Sequence, residues 1–277
     1  MLNYNFFERF NWPKEGFCRI CGKNGKLTED HVPPSSCFNS EAKIVYDFPR
    51  VKKVNSNSGV KYRSICSDCN NTVLGKYDAE LARLALNTAQ YIHTRIVGKI
   101  QLPTFECIIQ PAAIFRSILG HMIASYCLPK DISLPVESVK GSYFHALRDL
   151  FHNRSKQSRR HFKLYYWIHS GDKITNIPFF THSDIRYSGN VFHGSLLRFY
   201  PMAFWLVEHS DAPSARLTLP YLALSDSLGD IQIDLNEIPH LSPEFPFGSS
   251  HSFSLLDTDS LVQARNKQSS IIRTFKK

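Results

Sequence analysis

Two C-x-x-C pairs, Cys18-Arg19-Ile20-Cys21 and Cys66-Ser67-Asp68-Cys69, constrain this chain more than any other feature. Zn2+ takes four soft ligands tetrahedrally, and each pair can deliver two thiolates from one tight turn. The pattern therefore reads as a four-thiolate clamp that ties the segment around residue 18 to the segment around residue 69. The remaining three of the seven cysteines, Cys37, Cys107 and Cys127, are scattered. That usage suits a reducing cytoplasm better than a disulfide framework, and Cys37 reads as a bystander thiol near the clamp.

Between the knuckles lies Thr28-Glu29-Asp30-His31-Val32-Pro33-Pro34. Leu27 to Val32 reads as an extended segment, and the prolines bar a helix from starting there. Ile44 to Val54 reads as strand material, Asn55 to Gly59 as a turn, and Val60 to Ile65 as a returning strand. After Cys69 the apolar positions Leu74, Tyr77, Leu81, Leu84 and Ala85 follow a helical period, which places Asn70 and Asn71 at a helix start. Asp78 and Glu80 read as solvated acids on that helix.

This order of knuckle, Asp30-His31, knuckle and Asn70 resembles the HNH endonucleases of the His-Me finger group, in the version whose ββα-metal unit is braced by two zinc knuckles. The resemblance covers roughly the first 80 residues. It implies that His31 is a general base activating water, that Asp30 binds a divalent ion, Mg2+ or Mn2+, and that Asn70 at the helix start supplies a further ligand, with Asn71 as the alternative. It also implies structural Zn2+ on Cys18, Cys21, Cys66 and Cys69, DNA as the substrate, and products carrying 5′ phosphates. A setting in anti-phage defence or restriction fits such a protein. Many family members have His where this chain has Asn70. The middle Asn of the motif, which braces the loop carrying the base, has only Asn55 and Asn57 as candidates here, and Glu29 is a second carboxylate beside Asp30.

Charge supports a polyanionic partner. Lys and Arg outnumber Asp and Glu by 15 to 9 over residues 1–100 and by 9 to 4 over residues 101–163, whereas residues 164–277 carry 9 against 11. The basic excess thus accompanies the knuckles, where counterion release would favour nucleic acid. No apolar run approaches the length of a membrane span, and the first residues lack the basic-then-apolar order of a signal peptide, so the chain is expected in the cytoplasm without a membrane partner.

The expected fold class is α+β: a zinc-braced unit over residues 1–100, with Phe6, Phe7, Phe10 and Trp12 packed on it, and an α+β region over residues 101–277. In the second region residues 104–155 read as helical, with Pro111 opening an apolar helix on which His121 is a packed histidine. Residues 152–161 form a basic stretch able to grip phosphates or to stay solvated. Residues 160–236 read as short antiparallel strands, followed by an irregular, Pro- and Ser-rich connection and a basic tail. This second region is a candidate surface for a protein partner or a homodimer. The rival readings are a zinc-dependent nucleic-acid-binding module without catalysis and a protein-interaction module. Steep loss of affinity with salt distinguishes a nucleic-acid binder from the latter.

Overall fold

The structure, a computed structural model, describes residues 13–39, 44–47, 52–55, 59–97, 105–126, 143–154, 161–184, 191–208, 219–224, 229–247, 252–256 and 262–265. The expected packing of Phe6, Phe7, Phe10 and Trp12, the basic residues 155–160 and the terminal residues 266–277 lie outside them, as do Asn57 and Cys127.

The first knuckle turns between β1 (Glu15–Phe17) and β2 (Asn24–His31), which pair antiparallel. The Cys18 N–H donates to Lys23 O at 2.9 Å and the Gly22 N–H to Cys18 O at 2.8 Å, closing the turn through Gly22 at φ 78°. A short hairpin, β3 (Ile44–Asp47) and β4 (Lys52–Asn55), precedes β5 (Lys61–Cys66). β5 pairs antiparallel with β2, with an irregularity at Thr28/Glu29. The chain leaves β5 at Cys66 directly into a π-helical stretch, Asp68–Leu74, that continues as α1 (Gly75–Val97). Asn70 and Asn71 therefore stand in the first turn of the helix, as the period predicts.

β2 and β5 pair antiparallel beside the cysteine cluster, and the helix after Cys69 follows β5 directly. The expected contribution of residues 44–54 is corrected: β3 and β4 extend the large sheet described next, through pairing of β3 with β14 (Val262–Arg265). Their sequence alternates well enough for any antiparallel partner, and only the long-range pairing decides which sheet receives them.

Beyond α1, β6 (Glu106–Ile109) leads into α2 (Pro111–Ser125), which has Pro at its first turn, and α3 (Tyr143–Phe151) follows. Then come β7 (Phe162–Ile168), β8 (Lys173–Asp184), β9 (Val191–Phe199), β10 (Met202–Glu208), β11 (Tyr221–Leu222), β12 (Ile231–Asp234), β13 (Ser252–Leu256) and β14. β12 pairs with β6, and the large nine-stranded sheet runs β11-β7-β10-β9-β8-β14-β3-β4, with β13 also on β8. Each pairing between named strands is antiparallel. The region expected to be an irregular tail thus contributes β13 and β14, and β14 is central, between β8 and β3.

Successive residues of β7 and β10 face opposite sides, yet both sides are buried. Leu164, Tyr166, Phe204 and Leu206 join the main core with α2, whereas Tyr165, Trp167 and Trp205 pack with Phe245 and Phe247 on the other face. A sheet covered on both faces needs no polar alternation, which is why these strands are nearly continuously apolar. α2 is buried on almost every side and touches α1, α3, β2, β5 and the large sheet. Among the described residues no helix is long and apolar enough to cross a membrane.

Candidate functional site

The thiols of Cys18, Cys21, Cys66 and Cys69 converge, all within 4.8 Å of one another. Tetrahedral zinc with Zn–S of about 2.3 Å requires sulfurs about 3.8 Å apart, and the Cys21 and Cys66 sulfurs are 3.8 Å apart. The donor set fits a structural metal such as zinc. The hydrogen bond from the Cys69 thiol draws the Cys18 thiol far below its ordinary range, and the same contact drives Cys69 up. Four crowded thiols cannot all ionise without a cation, which is what a bound metal supplies. Cys37 stands apart, fully buried in a 3-10 turn (Ser35–Cys37), and burial raises its thiol well above the usual range. It is an inert core residue.

The clamp is also fastened to α2. Arg19, inside the first knuckle, donates to Ala124 O at 3.0 Å and to Tyr126 O, and Ser64 Oγ of β5 donates to Ala124 O at 2.6 Å. The carbonyls at the C-terminal end of α2, left over by the helix, are thereby satisfied by a cation and a hydroxyl. The Arg148 guanidinium of α3 and, just after the helix, His152 Nε2 at 2.8 Å donate to Ile20 O.

β2 presents its signature residues on two faces. His31 is half-buried, with Lys61 as its cross-strand partner. Glu29 is exposed opposite Arg63 and forms ion pairs with Arg63 at 2.5 Å and Lys61 at 3.6 Å. Asp30 points the other way and is only 3% exposed. Asn70 crosses from the helix start to the same strand, its Nδ2 donating to Thr28 Oγ1 at 3.1 Å and to Glu29 O at 3.1 Å. With the nitrogen turned into β2, the amide oxygen is the atom Asn70 can offer a cation. Asn71 instead donates through its Nδ2 to Ser67 Oγ within its own helical turn and does not reach β2 through that bond.

Three residues at the site escape sequence reasoning. Asn39 is one: its Nδ2 donates to Pro33 O at 2.6 Å and Val60 O at 3.1 Å, while its Oδ1 accepts from the Val60 N–H at 2.8 Å. It braces the loop that follows His31, the role for which Asn55 and Asn57 were the candidates; Asn55 lies in β4, in the large sheet. Gly59 makes the contact possible, since at φ 90° a Cβ there would lie 2.2 Å from Asn39 O. Asn39→Ala removes about three bonds worth about 1 kcal/mol each and leaves buried groups unpaired. An unfolding free energy lower by on the order of 3 kcal/mol is expected in urea titrations.

His121 and Asp78 are the others: His121 is the packed histidine the sequence predicts, with partners it did not reveal, and Asp78 corrects its reading as a solvated acid. His121 is fully buried, but its Nδ1 lies 2.9 Å from Asp30 Oδ2 and its Nε2 3.0 Å from Asp78 Oδ1. Asp78, expected to be solvated, also accepts from Ser117 Oγ at 2.6 Å. Burial alone would lower the His121 pKa, but the two carboxylates outweigh it and push it up to about 10. Both ring nitrogens therefore donate, as an imidazolium. The available signal was a lone histidine on a mostly apolar helix, since a buried imidazole requires partners.

Comparison with protein-family models, curated proteins and solved structures yields no match to this chain.

Proposed function

We propose that the chain is a metal-dependent endonuclease of the HNH type that hydrolyses phosphodiester bonds in DNA. The observation that carries this reading is that Asp30 and His31 close β2, that the Asn70 side chain bonds to Thr28 and Glu29 of the same strand, and that a four-cysteine cluster is built from residues on either side of them.

His31, on the outward face of β2, accepts the proton of the attacking water. Lys61, its cross-strand partner, places positive charge beside the phosphate. Asp30 and Asn70, on the helix side of the strand, offer a carboxylate and an amide oxygen, a donor set suited to Mg2+ or Mn2+, which when bound offsets charge on the phosphate and on the departing 3′ oxygen. Asn39 holds the backbone after His31 in place. The zinc cluster takes no part in the chemistry and fixes the helix start relative to β2.

The test is conversion of supercoiled plasmid to nicked circle with Mg2+ or Mn2+ and after chelation, with bound zinc measured in parallel. Metal-dependent nicking that Asn70→Ala loses at unchanged zinc content is the expected result. Nicking that is equal in wild type and variant, or indifferent to added metal, overturns the reading.

A further inference from the structure

We infer that His121 of α2, backed by Asp78 and Ser117, is the positioning group for Asp30, so that a helix outside the HNH-like unit sets the affinity of the divalent-ion site. The inference deepens the proposed function and rests on it.

Asp30 and His121 are 91 positions apart and meet in the core at 2.9 Å. A carboxylate on a single strand residue can rotate; one whose Oδ2 is held by an imidazole cannot. Its Oδ1 is then the oxygen through which Asp30 can take a cation. His121 is itself fixed, because Asp78 Oδ1 receives its Nε2 and Asp78 is in turn anchored by Ser117. The chain runs Ser117, Asp78, His121, Asp30, and it begins and passes back through α2, a helix clamped at its far end by Arg19 of the knuckle. Partners of this kind behind a metal ligand hold it in its orientation, and their loss typically weakens metal binding about 10- to 100-fold. The composition of the cluster is two acids to one base, with the buried Asp30 and the partly exposed Asp78 flanking the one imidazolium.

A purely structural brace would hold α2 against β2 and α1 without affecting ion affinity. The experiment therefore measures Mn2+ binding to the zinc-loaded, full-length protein by the loss of the free-ion paramagnetic resonance signal, with no turnover involved. Asp30→Asn should abolish binding, His121→Gln should weaken it about 10- to 100-fold, and Asp78→Asn should weaken it by a smaller factor. Asp78→Asn is the safeguard: its amide oxygen still accepts from His121 and Ser117, so zinc content and unfolding midpoint should match wild type. Wild-type Mn2+ affinity in both His121→Gln and Asp78→Asn, alongside loss in Asp30→Asn, overturns the inference and leaves the nuclease reading standing. Absence of Mn2+ binding in wild type, or unchanged binding in Asp30→Asn, overturns the metal assignment of the nuclease reading and this inference with it.

Discussion

Cys66→Ser is expected to purify with its zinc lost and without the cooperative unfolding transition of the wild type. Structural zinc contributes an apparent 10–16 kcal/mol to small metal-dependent folds, roughly the whole stability of an ordinary domain, about 5–15 kcal/mol. Cys66 sits where that contribution is transmitted. It ends β5, whose Tyr62 and Ile65 are buried in the main core, and it immediately precedes the helix that carries Cys69 and Asn70. Without the clamp, the pairing of β2 with β5, the Asn70 bonds to β2 and the contacts to α2 are left to hold the strand end against the helix start. The damage should spread, because the cluster shares one continuous core with α1, α2 and the large sheet, and the Tyr62 hydroxyl accepts from Asn176 of β8 at 3.1 Å. Zinc quantification and far-ultraviolet circular dichroism melts decide the matter. Cys37→Ala, which removes a buried thiol outside the cluster, should retain its zinc. Full zinc content in Cys66→Ser would remove the four-thiolate assignment.

The local part of this architecture was legible in the sequence because it is written in short-range chemistry. C-x-x-C spacing, prolines after His31 and the apolar period after Cys69 each act within a few residues, and the knuckles, the end of β2 and the helix start lie where they were expected. The strands β7 to β10 were equally plain, since β-branched and aromatic runs between turn residues have few alternatives. What the sequence hid was set by partners far away. β3 and β4 carry no mark of belonging with β14 rather than β5, and β14 itself lies in a stretch that reads as tail. His121 looked like a packed core residue until Asp30 and Asp78 arrived from other elements. Asn39, next to Phe38 at φ 62°, acquires its role only when Val60 is brought back against it by β5. A polar residue committed to a distant partner carries no periodicity, so patterning alone cannot find it.

His31→Ala is expected to reduce nicking by about 10²- to 10⁴-fold, the usual contribution of a positioned general base, while leaving the protein otherwise intact. The geometry supports that separation. His31 leaves β2 on the outward face, half-buried, whereas the groups that hold the strand are on the other side or in the backbone: Asp30 on His121, the Val32 N–H on Val60 O at 3.0 Å, and Asn39 on Pro33 O. Those contacts remain when the imidazole is removed, and a point substitution of this kind typically costs about 1 kcal/mol. Zinc content and Mn2+ affinity should therefore equal those of wild type with only a small fall in melting temperature, and DNA binding should keep the same salt slope because no phosphate-neutralising lysine or arginine is removed. The loss should fall on kcat with KM little changed, as for a group that acts chiefly in the transition state. Asp30→Asn gives the complementary pattern, losing Mn2+ together with activity. His31→Ala that nicks as fast as wild type would place the base elsewhere. His31→Ala that loses its zinc would mean that the imidazole belongs to the clamp.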